Sequence, residues 1–217
     1  MGIELSNTRV NNRATPQYNA INPADVRTVH LIQSNHFDAG FADFVPAIMN
    51  RYFTGGEGTG APPTHNNVSV YYNSFYLTAG NISDALKVRG GPEGYKYLTQ
   101  SWLVDFFFDC PLDFPTIENG TILNCPNKTT YDSVMRYIQD GTIYWHAFPH
   151  NAQPELMDET FFVTGLNISL TLANEMGILP QQVMSQRDVT GLTRALVPIL
   201  KRNNIIGISI GTNTVQL

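Results

Sequence analysis

The sequence predicts an α/β fold in which parallel strands alternate with helices. Short apolar runs rich in β-branched and aromatic residues are separated by stretches that place apolar residues at helical spacing. The last of these runs, IIGISI at residues 205–210, is almost continuously apolar, which is typical of a strand buried on both faces of a parallel sheet. Regular alternation of the two patterns favours βαβ units and a parallel sheet covered on both faces. The fold that we expect is an incomplete (β/α) barrel.

The elements follow one another along the chain. Strands are predicted at residues 26–33, 97–108, 142–148, 182–186 and 205–210, and helices at residues 41–52, 78–88, 131–139, 154–176 and 192–202. Pro154 suits a first helical turn, and Gly177 suits the end of that helix. Residues 54–66 form a long turn-rich insertion of the kind that is usually functional or mobile.

Two segments are expected from this pattern. Residues 1–25 lack periodicity and are predicted to be an N-terminal arm or linker, and residues 26–217 are predicted to be the N-terminal part of the barrel domain. The chain stops at Leu217, directly after a strand of buried type. Since a bare last strand exposes an unpaired edge, we expect a further chain or segment to complete the barrel.

The charge and hydropathy of the chain argue against a nucleic-acid partner and a membrane span. The formal net charge is −5 and the pI is about 5.4, and no cluster of Lys and Arg occurs. Nucleic-acid binding depends on such clusters, so we expect no nucleic-acid partner. No apolar run approaches the roughly 20 residues that a membrane span needs.

Two features predict export. Five N-x-S/T sequons are candidate glycosylation sites, at Asn67, Asn81, Asn119, Asn127 and Asn167. Cys110 and Cys125, the only two cysteines, flank a stretch rich in Pro and Asn. A disulfide there would contribute about 3 kcal/mol, and two unpaired buried thiols are the alternative. We expect a glycoprotein that is secreted or lies in the lumen of the secretory pathway or lysosome.

The clearest candidate site follows the first predicted strand, where Asn35-His36-Phe37-Asp38 occurs. Active-site loops of parallel α/β folds gather at this end of the strands. His36 and Asp38, separated by one residue, are candidate ligands of Zn²⁺, which accepts nitrogen and oxygen donors. The alternative is a polar loop in which Asp38 caps the next helix.

The wider segment, residues 29–41, resembles the opening strand of glycoside hydrolase family 38, the zinc-dependent α-mannosidases. In that family an apolar strand runs into H-x-D-x-G and an aromatic residue, and the His and Asp bind zinc. The resemblance implies that His36 and Asp38 are zinc ligands in a seven-stranded barrel. A second collinear match covers the helix from residue 161, a G-x-x-P-like turn and residues 185–191, which implies that Asp188 lies near the sugar. The resemblance covers residues 26–213 and is closest to a poorly characterised branch.

The chain also departs from the family. A D-E-A motif in family members supplies an Asp that is both zinc ligand and nucleophile, and counting back from Pro180 places Asn151 there. Glu155 or Asp158 would take this role if the alignment shifts. The family's remaining His ligand lies beyond Leu217.

Several other residues have two interpretations. His146 and His150 follow the third predicted strand and are either near the site or ordinary loop histidines. Trp102 and Trp145 are either core residues or stacking platforms for a sugar ring. Arg187, beside Asp188, either forms an internal ion pair or clamps substrate.

The resemblance therefore implies a zinc-dependent, α-mannosidase-like hydrolase that acts on glycans. The alternative, favoured by the missing D-E-A motif, is a catalytically inactive structural or carbohydrate-binding glycoprotein on the same fold. A zinc deacetylase would need an H-x-x-x-H pair after the second predicted strand, and no such pair follows residues 97–108 before the third predicted strand.

Overall fold

The computed structural model describes residues 22–29, 34, 37, 68–91, 93–111, 125–189 and 191–212. Contacts between Cα atoms divide the chain into two units, Met1–Leu31 and Ile32–Leu217. In the first unit the described residues include a short 3-10 helix, Pro23–Asp25. The predicted helix at 41–52 and the insertion at 54–66 lie outside the described residues, and the predicted arm at 1–25 stays a prediction.

Helices lie between successive strands in the second unit, as predicted, and two of them separate the first two strands. In chain order the elements are α1 (Val68–Arg89), β1 (Tyr97–Thr99), α2 (Ser101–Asp109), α3 (Lys128–Gln139), β2 (Ile143–Trp145), α4 (Glu159–Glu175), β3 (Val183–Val189), α5 (Leu196–Arg202) and β4 (Gly207–Thr212). The predicted helices at 78–88 and 131–139 lie within α1 and α3, so both are confirmed.

The strands pair in parallel and in sequence order. β1 pairs with β2, and β3 pairs with β4. Ser34 forms an isolated parallel bridge with Leu98, and the Ala147 N–H donates to the carbonyl of Val183 at 2.9 Å. The predicted α/β class with parallel strands is confirmed. The described strands form two small sheets and no closed barrel.

One face of the strands packs against the helices. Ile143, Trp145 and Met184 point to this face and are at most 1% exposed. Ile143 and Trp145 belong to a core cluster formed with α1, α2 and α3, whereas Met184 packs with Phe148, Phe162 and α5. The two clusters hold the strand ends in place. Trp145 is therefore a core residue and not a stacking platform.

The predicted strand at 97–108 is wrong beyond Thr99, because Ser101–Asp109 is helix α2. Its buried residues include Leu103, Val104 and Phe107, which lie on one helical face at spacings of three and four. The aromatic residues favour a strand by propensity, but the burial pattern has the helical period.

Other predicted elements have different bounds. The helix predicted at 154–176 is broken: Pro154–Leu156 is a 3-10 helix, Met157 is extended, and α4 begins after Asp158. Gly177 follows the helix with φ +69° and takes the left-handed conformation expected of a glycine at a helix end. The helix predicted at 192–202 is shorter, the strand predicted at 142–148 ends at Trp145, and the last two strands are shifted toward the C-terminus.

Strand β4 is less buried than predicted. Ile206, Ile208 and Ile210 are 78%, 39% and 48% exposed. The three isoleucines alternate with Gly207, Ser209 and Gly211, so β4 has one apolar face and one face of small residues. The expectation of a strand buried on both faces is therefore wrong for the described part of the chain.

Cys110 and Cys125 form a disulfide, with their Cα atoms 5.6 Å apart, so the predicted pairing is confirmed. It ties the end of α2 to the residues that precede α3. Of the helices that the structure describes, none has the length and apolar character needed to span a bilayer.

Candidate functional site

Four chain segments meet at the carboxyl ends of the parallel strands. They contain Phe37, Gln100, residues 146–152 and Arg187-Asp188, of which the last three follow or end β1, β2 and β3. This edge is where parallel α/β folds bind ligands, so it is the candidate site. Its segments are joined by hydrogen bonds between elements that are distant in the sequence.

His146 is held in a single orientation directly after β2. Its Nε2 lies 2.7 Å from Oε1 of Gln100, and its Nδ1 accepts from the backbone N–H of Phe148 at 3.2 Å. An imidazole that accepts at Nδ1 must donate at Nε2, so His146 is neutral in the Nε2–H tautomer. Burial, with a smaller contribution from His150, lowers the pKa of His146 to about 4. His146 therefore stays uncharged at neutral pH.

Asn151 attaches the loop after β2 to Phe37 and to the end of β3. The Asn151 N–H donates to the carbonyl of Phe37 at 3.2 Å, and its side-chain amide donates to the carbonyl of Arg187 at 2.9 Å. Asn151 thus links Phe37 to the ends of β2 and β3. This structural role is one that an amide can fill and a carboxylate, which lacks an N–H, cannot.

His150 has the arrangement typical of a metal-binding histidine. Its Nδ1 lies 2.8 Å from the carbonyl oxygen of Asn151, which can only accept, so Nδ1 carries the proton. Nε2 then keeps its lone pair, and burial lowers the pKa of the half-buried ring. A Nδ1–H bond to a backbone carbonyl commonly orients a zinc-binding imidazole.

Gln186, in β3, holds the loop at residues 150–152 in position. It is fully buried, its Oε1 accepts from the Ala152 N–H at 2.8 Å, and its Nε2 donates to the carbonyl of His150 at 3.1 Å. Both ends of the amide are therefore satisfied, which favours one position of the loop. The backbone on either side of Asn151 is held against β3.

Asp188 lies in an irregular position at the end of β3. The pairing of β3 with β4 shifts register between Arg187 and Val189, and Asp188 has φ +57°. A bulge with left-handed backbone re-aims its side chain, and such bulges are frequent beside active sites. The side chain of Asp188 is exposed.

The other two candidate carboxylates lie between β2 and α4. Glu155 is exposed in the 3-10 helix Pro154–Leu156. Asp158 is the N-cap of α4, where its carboxylate accepts from the Phe161 N–H at 2.7 Å. Asp158 therefore has a capping role, and catalytic roles for both residues stay predictions.

His36 and Asp38, the predicted zinc ligands, lie outside the described residues. Phe37, between them in sequence, is completely buried and stacks on Trp102 with ring centroids 5.4 Å apart. Among the residues that the structure describes, no group of three or more His, Cys, Asp or Glu side chains is arranged to hold a metal.

The predicted glycosylation sites and Arg187 lie apart from these contacts. Asn81, Asn127 and Asn167 are exposed on or beside helices, and Asn67 and Asn119 lie outside the described residues. Arg187 forms no ion pair within the described part of the chain, so the expected pair with Asp188 is wrong.

Sequence reasoning missed Gln100 and Gln186, the two amides that orient His146 and the loop at 150–152. Each lies in or directly after a strand flanked by apolar residues, where a polar residue needs a partner. The sequence therefore indicates that each amide has a partner, but it does not show which residue that partner is, because the partner follows another strand.

Comparison of the chain with protein-family models, with curated proteins and with solved structures finds no match to any of the three.

Proposed function

We propose that this chain is part of a zinc-dependent glycoside hydrolase similar to the α-mannosidases of family 38 and acts on glycans in the secretory route or outside the cell. The observation that carries the proposal is the hydrogen bond from the Asn151 N–H to the carbonyl of Phe37. It joins the segment that contains His150 to the residue between His36 and Asp38.

The chemistry of the available donors fits zinc. His150 offers a neutral imidazole with its Nδ1–H oriented by a carbonyl, and His36 and Asp38 add a nitrogen and an oxygen donor. We expect these three residues to hold the ion. Bound zinc would orient and polarise sugar hydroxyls.

The hydrolysis of a glycosidic bond needs two carboxyl groups. One attacks the anomeric carbon or activates water, and the other protonates the leaving oxygen. Asp188 is our first candidate, because the bulge at Arg187/Val189 turns it out of the strand at the carboxyl edge. Glu155 and Asp158 are candidates for the second group.

Export and glycosylation belong to the same proposal. The Cys110–Cys125 disulfide and the exposed sequon residues Asn81, Asn127 and Asn167 are compatible with an oxidising, glycosylating compartment. A further chain or segment is expected to complete the barrel, since Ile206, Ile208 and Ile210 leave an apolar face of β4 exposed.

The proposal is tested by loading the full chain with zinc and measuring the hydrolysis of an aryl α-mannoside. We expect activity that chelation removes and added zinc restores. Asp188→Asn should abolish turnover without unfolding the protein, since Asn tolerates the left-handed backbone at this position. Asp158→Asn, which keeps an N-cap, and Glu155→Gln identify the second group.

Specific outcomes would contradict it. Activity that survives complete removal of metal contradicts the zinc dependence. A protein that binds no zinc and hydrolyses no glycoside favours the inactive carbohydrate-binding alternative, which the structural role of the Asn151 amide supports.

A further inference from the structure

A cavity of about 310 Å³ lies against the strand face opposite the helices. Its lining includes Leu98, Tyr144, Ser185, Arg187 and Ser209. The first four lie next to buried positions of β1, β2 and β3, whereas the neighbours of Ser209 in β4 are 39% and 48% exposed. Leu98 is the register partner of Tyr144, and Ser185 is the partner of Ser209, so side chains from four strands share this face.

The lining of this cavity is rich in hydroxyl groups. Ser34, Ser185 and Ser209 contribute three, and Tyr144 contributes a fourth from a half-buried position. His146 also lines the cavity, with its ring fixed by Gln100. A volume of roughly 300 Å³ is at the lower end of small-molecule sites, and hydroxyl groups suit a polyhydroxylated ligand.

The formal charge that the described lining residues bring to the cavity is positive. Arg187 is the only charged residue among the described residues that line it, although the whole chain carries a net charge of −5. Arg187 is exposed and forms no ion pair with any described residue. Its acidic neighbour Asp188 is turned away from the strand by the bulge.

Gly211 makes room for the guanidinium. A β-carbon on Gly211 would lie 3.4 Å from Nε and 3.5 Å from Cζ of Arg187. The side chain of Arg187 therefore lies against the backbone of β4, on the small-residue face of that strand. Because these distances are ordinary van der Waals contacts, alanine at position 211 would fit, whereas the two methyl groups of valine would displace the guanidinium.

We infer that this cavity binds a sugar carrying a single acidic group, a carboxylate or a sulfate, with Arg187 pairing with the acid and the serine hydroxyls facing the sugar ring. Guanidinium recognises both anions through paired N–H donors. The inference deepens the proposed glycosidase function by naming the substrate class, and rests on it in that respect.

Binding to the full chain is measured by calorimetric titration with D-glucuronate, glucose 6-sulfate and D-glucose, in the presence of a chelator. A charge-assisted contact predicts that at least one of the two acidic sugars binds about 10-fold more tightly than glucose. Whichever acid binds more tightly identifies the acidic group. If neither binds more tightly than glucose, the inference is wrong.

Variants locate the contact. Arg187→Gln should bring the affinity for the acidic sugar to within about 3-fold of that for glucose. Arg194→Gln, which removes an exposed arginine outside the cavity, should leave it unchanged. Gly211→Val gives a second test that keeps the charge and should weaken acid binding by displacing Arg187. Unchanged affinity in both Arg187→Gln and Gly211→Val overturns the assignment.

Because the titration excludes metal and needs no turnover, its failure is distinct from failure of the proposed hydrolysis. Acid binding without zinc-dependent hydrolysis leaves the cavity assignment in place and removes the enzyme proposal. If the protein hydrolyses neutral glycosides but shows no preference for acidic sugars in the titration, the enzyme proposal stands and the cavity assignment is wrong.

Discussion

Nε2 of the His146 imidazole donates to Oε1 of Gln100 across 2.7 Å, and both residues are almost completely buried. This bond joins the end of β1 to the end of β2 and fixes one tautomer of the histidine. Burial lowers the pKa of His146 and keeps its ring neutral in the folded state, and this makes stability depend on pH.

The pKa of His146 predicts the direction of that dependence. It is about 4 in the folded protein and about 6.5 in an unfolded chain, so the unfolded state binds more protons between these values. The stabilisation is present above pH 6.5 and is lost as the pH falls toward 4, by about 3 kcal/mol in total. Urea unfolding from pH 7 to 4 measures it, with His146→Gln as the comparison. Equal pH profiles for the two proteins would contradict the account.

Gly80 in α1 faces the ring of Tyr137 in α3. A β-carbon at position 80 would lie 1.9 Å from Cε2 of Tyr137, whose hydroxyl is held by Asp84. Gly→Ala normally stabilises a helix, but here we expect Gly80→Ala to lower the free energy of unfolding by about 1–3 kcal/mol through overpacking. Gly94→Ala, where nothing lies within 4 Å of the added carbon, is the control and should be nearly neutral. Chemical denaturation of both variants decides between steric clash and helix propensity.

The Cys110–Cys125 disulfide closes a loop between residues 15 apart in sequence. Replacing both cysteines with alanine should lower the free energy of unfolding by about 3 kcal/mol, mainly because the unfolded chain gains freedom. Denaturation with and without a reductant measures this. A wild-type protein whose stability is unaffected by complete reduction would rule out the contribution.

Asn127 has two separable roles. Its side-chain oxygen accepts from the Thr130 N–H at 2.9 Å and caps α3, and the same residue begins a sequon. Asn127→Asp should remove any attached glycan and keep the cap, whereas Asn127→Ala should also cost about 1 kcal/mol of stability. Mass spectrometry of protein from a glycosylating host and thermal unfolding measure the two effects. If the alanine and aspartate variants are equally stable, the cap contributes nothing.

Periodicity predicted the order of elements because each helix and strand must bury its apolar side. The elements that were predicted wrongly share one cause, which is that their local sequence is compatible with more than one structure. Residues 101–109 have aromatic residues favoured in strands, but a helix buries Leu103, Val104 and Phe107 together. In β4 the alternation of isoleucine with Gly207, Ser209 and Gly211 was visible, and it indicates two different faces.

The candidate site could be predicted only in part. Its location after the strand ends follows from the general behaviour of parallel sheets, and His146, His150 and Asp188 all lie there. The contacts of Gln100 with His146 and of Asn151 with Phe37 join residues 46 and 114 positions apart. No short-range pattern encodes such pairs, because strand register decides which residues meet.

The most direct test of the proposed function is the zinc dependence of glycoside hydrolysis. The full chain is stripped of metal, reloaded with one equivalent of zinc and assayed with an aryl α-mannoside, alongside His150→Ala and a matched variant of an exposed residue, Arg194→Gln. We expect hydrolysis only after zinc is restored, with zinc binding and activity both lost in His150→Ala and retained in Arg194→Gln. Full activity in the metal-free protein, or in His150→Ala at the same zinc content, would contradict it.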